Sequence, residues 1–539
     1  MKRTILLIAV ILSAIFSTRS QSINDPFFEQ VNYLGAFGND NWTSGWCNWD
    51  PQNTIYPSAN VIINSGDTIK TNTTWTSNNT YLLNGWIYVK NNAVLTIQPG
   101  TVIRGDYTNK GALIIERGSK LIAEGTSSQP IVFTSNEDPG NRDYGDWGGV
   151  IICGKSILNI TGGTSVIEGG PGSIYGGGTN PLTDDSSGVL KYIRIEFPGV
   201  PFVQDKEING LTFGAVGNKT IIDYIQVSYS GDDAFEWFGG NVNCKHLVSF
   251  RTWDDDFDTD NGCSGMLQFG VALRDPAIAD PGSGSNGFES DNDANGSVNQ
   301  PVTKAVFSNF SMFGPKVTKT ATINTNYKSA LHLRRSTAIK IFHSVFAGYK
   351  DGLKIEGATT DSLAQMNQLN LQYCNIAGIS GSEFVAGTGV TMNIGVWFLN
   401  ASKCNDTLSE NAELFITDPF NASAPNFLPE AGSPLLNRTW LSCEPAGFED
   451  LIKTDITGLY PNPSQGMTTI DFTLSASVNV KIEILDITGR SAMIIKNGFL
   501  YKGLHHITFD VSDLCIGVWL IRISTPGGYS TKKLLIHHG

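Results

Sequence analysis

The stretch Asp223–Gly262 reads DYIQVSYSGDDAFEWFGG, then NVNC, then KHLVSFRTWDDDFDTDNG. Offset by 22 residues, its two halves match: Ile225 falls on Leu247, Asp232-Asp233 on Asp254-Asp255, Phe235 on Phe257, Glu236 on Asp258 and Gly240 on Gly262. An apolar strand, an acidic turn, an aromatic, a further acid and a glycine therefore occur twice in the same order. Recurrence at a fixed short period marks stacked repeats, each unable to bury its apolar side chains without a neighbour.

Similar units lie upstream. Trp86-Ile87-Tyr88-Val89 is followed by Val94–Ile97, the turn Gln98-Pro99-Gly100 and Thr101–Ile103; Ala112–Ile115 is followed by Lys120–Ala123, Glu124-Gly125-Thr126 and Pro130–Phe133. Three short strands and their turns fill 26 residues, and another unit opens at Trp147–Ile152. Alternating segments at Leu190–Phe197, Thr220–Ser228, Lys245–Thr252, Lys304–Phe313, Ile339–Phe346 and Leu371–Ile376 continue the series downstream. This pattern predicts an all-β chain built on a right-handed parallel β-helix, a solenoid, across residues 61–445. The 58 glycines and the absence of long charged helical patterns agree with it. The long polar inserts Gly162–Ser187 and Asp275–Asn299 are expected to project from one face, as insertions in solenoids do.

Residues 1–20 read as an export signal, with Lys2 and Arg3 before the apolar run Ile5–Phe16 and small residues after it. Beyond it no segment approaches the roughly 18 apolar residues of a membrane-spanning helix. Removing the signal shifts the formal charge from −13 to −16. So acidic a surface disfavours nucleic acid and anionic lipid, and favours cations and neutral ligands such as glycans. Residues 21–60 carry Trp42, Trp46 and Trp49. These suit a sugar-stacking platform or, preferably, a cap over the open end of the coil stack. Of the eight cysteines, Cys244–Cys263 and Cys404–Cys443 are the local pairs an exported protein could oxidise, and no spacing suggests zinc.

From about Cys443 the pattern changes to alternating strands with glycine turns, predicting a small β-sandwich over residues 446–539. Its motifs are Tyr460-Pro461-Asn462-Pro463-Ser464, Asp486-Ile487-Thr488-Gly489-Arg490, Gly517–Ile523 and the closing Lys532–Ile536. They resemble the type A C-terminal sorting domain of the type IX secretion system of Bacteroidota. The resemblance implies recognition by the type IX secretion machinery, export across the outer membrane, loss of the tail, and release or attachment at the cell surface. One departure is Leu514-Cys515-Ile516 before Gly517, where such tails more often carry a small residue or proline. The body is similar, through GDWGGVIICGK, GDDAFEWFGG, DDDFDTD and NGFESDNDANG, to secreted Bacteroidota proteins that carry this tail and have no assigned activity.

The acids offer three readings. As turn residues they would bond their own backbone. As cation ligands, Asp254, Asp256, Asp258 and Asp260 would be too far apart along a straight strand but could converge in a curled turn. Asp291, Asp293 and Asn295 lie in a second acidic loop whose DxDxNG opens like an EF-hand, although Val302 stands where the closing glutamate belongs. Calcium is the cation expected for such oxygens. As catalysts, Asp232 and Asp233 could act as a carboxylate pair, and Arg251 or Arg334-Arg335 as lyase residues. GDDAF is similar to the paired-acid motif of polygalacturonase-like hydrolases, but their Gly-His-Gly and Arg-Ile-Lys motifs are missing. The expectation is therefore a secreted or cell-surface binding protein, an adhesin or a polysaccharide-binding β-helix, with a polysaccharide lyase or hydrolase as the alternative. A reporter fused to residues 445–539 is expected to cross the outer membrane of a type IX host; its retention in the periplasm would contradict the sorting assignment.

Overall fold

A computed structural model describes residues 22–170, 172–203, 206–443, 454–474, 478–525 and 528–537; the export segment 1–20 lies outside them. Coils of parallel β-structure stack from Val61 to Leu408 and form two ladders. The larger, of 17 strands, bends at a corner so that its outer surface has two faces. The second is a ten-stranded ladder from Trp86–Val89 to Phe384–Ala386. The repeat read from the sequence is the register observed: Ile225 pairs with Leu247, Phe235 with Phe257 and Glu236 with Asp258. Trp86 likewise pairs with Ala112.

Parallel register puts each residue on its equivalent one coil away, so the interior is a set of like-on-like stacks. Phe235 lies face to face with Phe257 at 5.6 Å, and Phe257 continues to Phe288 at 5.2 Å. Gly240 and Gly262 close their coils in the left-handed region, with φ of +73° and +83°. A Cβ there would meet the Val216 and Pro301 carbonyl oxygens at 2.5 and 2.6 Å, so the repeated glycine is required.

The corner of the larger ladder is made differently. Tyr192, Tyr224, His246, Phe269, Asn309, His343 and Tyr373 all have positive φ. A left-handed residue with a side chain costs about 1–2 kcal/mol. Ring stacking along the corner offsets this: Tyr192–Tyr224, Tyr224–His246 and His246–Phe269 centroids are 4.3, 4.1 and 5.1 Å apart.

The aromatic N-terminal segment does not cover the end of the stack. It runs along the flank of the larger ladder, because the coil faces there offer apolar side chains and amides. Glu29 exchanges two backbone bonds with the Gln268 amide, and Asn48 does the same with Gln226. Gly35 N donates to His343 O at 2.7 Å. Phe37 and Trp46 pack on Val248, Phe250 and Phe313 together with Leu414, Phe427 and Leu435 from the returning segment after the last coil. The segment is a strap: Trp46 belongs to the core, and half-buried Trp42 and Trp49 pack against it. Cys404–Cys443 is a disulfide, whereas Cys244 and Cys263 are separate thiols, each turned into the apolar interior of its coil.

The C-terminal unit is a sandwich of a three-stranded and a four-stranded antiparallel sheet around Ile470, Phe472, Ile482, Ile484, Ile521, Ile523 and Leu534. It includes the strands Thr454–Tyr460 and Ser491–Leu500. Trp46, 1 % exposed, tests the strap. Trp46→Ala is expected to cost about 3–5 kcal/mol and to open residues 22–57 to limited proteolysis. Unchanged protection would contradict a packed strap.

Candidate functional site

The outward side of the second ladder carries the candidate site. In the register of its strands, Glu236, Asp258, Glu289, His332 and Lys354 form one column, with about 4.8 Å between rungs. The insert after the strand Gly149–Cys153 folds over the early coils of this face: Leu158, Ile167 and Tyr175 pack on Ile114, Ile151 and Phe238. Asn159 ties that insert to the next loop by donating to Asn292 O at 2.7 Å.

The two ends of the column differ in charge compensation. In the later coils Glu289, Asp291 and Glu356 are all paired. His332 lies between Glu289 and Glu356, at 3.3 and 3.0 Å. Arg334 reaches Asp291 at 2.9 Å and also Glu289, Arg335 reaches Asp291 at 2.7 Å, and Lys354 reaches Glu356 at 2.7 Å. In the earlier coils, Asp233, Glu236, Asp254 and Asp258 have no ion pair among the described residues. Instead they face one another: ligand oxygens of Asp232, Asp233 and Asp254 lie within 4.8 Å of each other, and so do those of Asp233, Glu236 and Asp258.

Titration follows from this division. Burial pushes Asp233, Glu236, Asp254 and Asp258 well above the ordinary carboxylate range, and neighbouring carboxylates push them further. Burial and the charge of Glu289 take Asp255 up to about 8; burial and Asp291 take Asp260 up to about 7. For Glu289 burial also acts upward, but the His332 hydrogen bond and Arg334 outweigh it and hold it below its usual value. Lys354 and His332 bring Glu356 down to about 2.

The acids expected as one cation cluster are divided by the fold. Asp256 points into the coil, fully buried against Arg274 at 2.9 Å with Ser249 donating to it, because it lies in the turn before the strand Phe257–Asp260, where the alternation that would put it on the face of Asp258 does not hold. Asp293 caps its own loop through Asn295 N and Ser297 N, and the Asn295 side chain is exposed. Asp291 is taken by Arg334 and Arg335. Asp254 and Asp258 remain in the cluster, while Asp260 lies beside Asp291. Of the catalytic candidates, Asp232 and Asp233 join the cluster, and Asp233 Oδ1 also accepts from Asp255 N at 2.8 Å. Arg251 sits elsewhere, paired with Asp275 at 3.2 Å and bonded to the Tyr229 hydroxyl. Glu236 was legible as the repeat partner of Asp258. Glu289 and Arg334 stood out in the sequence as an acid of the second loop and a lyase candidate, but their place in the column did not, because long inserts interrupt the period before Glu289 and His332. The 22-residue offset from His332 to Lys354 was legible only once His332 was placed.

These coils lie inside a match to the pectate-lyase-like beta helix domain over residues 67–411, and the chain belongs to that family. Residues 458–537 match the secretion system C-terminal sorting domain, so this is a secreted or cell-surface protein that uses the type IX machinery. No curated protein matches the chain by sequence. Among solved structures it is similar to full-length tailspike protein 2 from Escherichia coli O157:H7 bacteriophage CAB120, at 11% identity over 85% of this chain and 64% of that one, TM-score 0.22. It is also similar to the enzymatically active domain of bacteriophage CBA120 tailspike protein 4, at 9% identity over 84% and 64%, TM-score 0.24. The chain thus spans somewhat less than two thirds of either tailspike.

A carboxyl whose pKa is higher folded than unfolded binds its proton more tightly in the native state, so stability falls as pH rises toward the folded value. Buried His343, pushed down to about 3, acts in the opposite sense, but only below the ordinary histidine range. Between pH 6.5 and 8 the carboxylates dominate. In chelator, the melting temperature of the body is expected to drop by several degrees across that window; a rise would contradict the clustered, uncompensated acids.

Proposed function

We propose that the mature chain binds polysaccharide at the cell surface or in the medium, using the outward side of the second ladder. The observation that carries this reading is the continuity of that face. The carboxylate column passes into an ion-paired end that opens on a cavity of about 380 Å³ lined by Arg334, Arg335, Glu356, Gly357, Thr359 and Thr360. Guanidinium, carboxylate and hydroxyl groups on rigid strands suit a ligand dense in hydroxyls and offering ring oxygens and acidic substituents. Parallel rungs at even spacing also suit a ligand that is itself a repeating chain.

One specific feature supports a second reading, glycoside cleavage. Asp258 and Glu289 are adjacent rungs whose surroundings move their pKa values in opposite directions. A protonated acid beside an ionised carboxylate is the arrangement from which glycosidic acid and nucleophile are made.

Passing the mature protein over a panel of immobilised polysaccharides, with assay of the eluate for new reducing ends, separates the readings. Retention without products is expected, weakened at least tenfold by Arg335→Ala or Lys354→Ala. Absence of retention across neutral and acidic glycans would contradict binding. Products that vanish in Asp258→Asn and Glu289→Gln would establish the second reading.

A further inference from the structure

We propose that Asp233, Glu236 and Asp258, with the side-chain oxygen of Asn209, form a binding site for one calcium ion. The three carboxylates present oxygens within 4.8 Å of one another. Calcium holds its oxygens at about 2.3–2.6 Å, so ligands on opposite sides of the ion are about 4.6–5.2 Å apart. The three groups therefore already stand at the spacing of a shared ion.

An independent observation comes from the hydrogen-bond inventory. Asn209, 1 % exposed, donates its amide nitrogen to Glu236 Oε2, and its Oδ1 is buried with no donor. Asp258 Oδ1 is likewise buried without a donor. A buried oxygen left without a partner costs about 1–3 kcal/mol, more when charged. A cation at the centre of the group supplies what both oxygens lack and neutralises the carboxylates around it. The donors are all hard oxygens from carboxylate and amide, with no imidazole or thiolate, which selects calcium over zinc. The ligands come from three consecutive strands of the ladder, Leu211–Gly214, Phe235–Phe238 and Phe257–Asp260, or from the residues just before them. An ion there would cross-link successive coils.

The test uses the mature chain stripped with chelator, read by tryptophan-sensitised terbium luminescence and by thermal unfolding. Terbium is expected to bind saturably and to be displaced by calcium, and calcium is expected to raise the melting temperature. Glu236→Gln and Asp258→Asn are each expected to weaken terbium binding at least tenfold. In chelator, Asp258→Asn should melt no lower than wild type, because the amide is neutral at every pH and adds no charge to the cluster; this distinguishes a lost ligand from a damaged fold. Asp293→Asn, in the neighbouring acidic loop, should leave the response unchanged. No calcium-dependent signal in the wild type, a full response in both ladder variants, or loss only in Asp293→Asn would each overturn the assignment.

Discussion

Parallel stacking in register is the constraint on which the rest of this molecule depends. Each residue lies about 4.8 Å from its counterpart in the next coil, so any side chain the sequence repeats is stacked on itself. For apolar and aromatic groups this is favourable. The Phe235–Phe257–Phe288 stack fills the interior, and the Tyr192–Tyr224–His246–Phe269 stack holds a corner in a backbone conformation that non-glycine residues otherwise avoid. For charges the same register is unfavourable, and the outward column of the second ladder is where that conflict is concentrated.

The chain meets the conflict in two ways along one column. After Glu289 the sequence changes sign, with His332, Arg334 and Lys354 placed so that Glu289, Asp291 and Glu356 each have a cation within reach. Before it, Glu236 and Asp258 repeat the acid without relief, and Asp233 and Asp254 add to the group. Such a cluster holds protons, or an ion, or both in competition. On the proposed reading, that rigid face beside an open polar cavity is the binding surface of a protein that is secreted or held at the cell surface. Export is carried by the separate sandwich, whose core shares no residue with the coils.

Much of this was legible in the sequence. The 22-residue offset between Asp223–Gly240 and Lys245–Gly262 is the pairing observed, because coils without inserts must place equal positions side by side. The sorting sandwich was legible through its terminal motifs, although its strand Ser491–Leu500 alternates only weakly. What could not be read was direction and distance. Asp256 belongs to the same run as Asp258, yet one turns to Arg274 inside the coil and the other to Glu236 outside. The buried arginine that claims Asp256 lies 18 residues away, and no local pattern announces it. The strap misled for a related reason: its tryptophans suited an end cap, but the partners that fix it, Gln226, Gln268 and His343, are spread along the flank of separate coils.

The central claim is that the early coils carry buried carboxylates with no ion pair among the described residues, whose burial favours the protonated form, and the proposal is that a cation displaces those protons. Proton release on addition of calcium to the chelator-stripped mature protein, followed with a pH electrode in weakly buffered solution at pH 7, addresses it directly. The account predicts release of at least one proton per ion bound, reduced in Glu236→Gln. Calcium binding without proton release would show that these carboxylates are already ionised and compensated, and would contradict it.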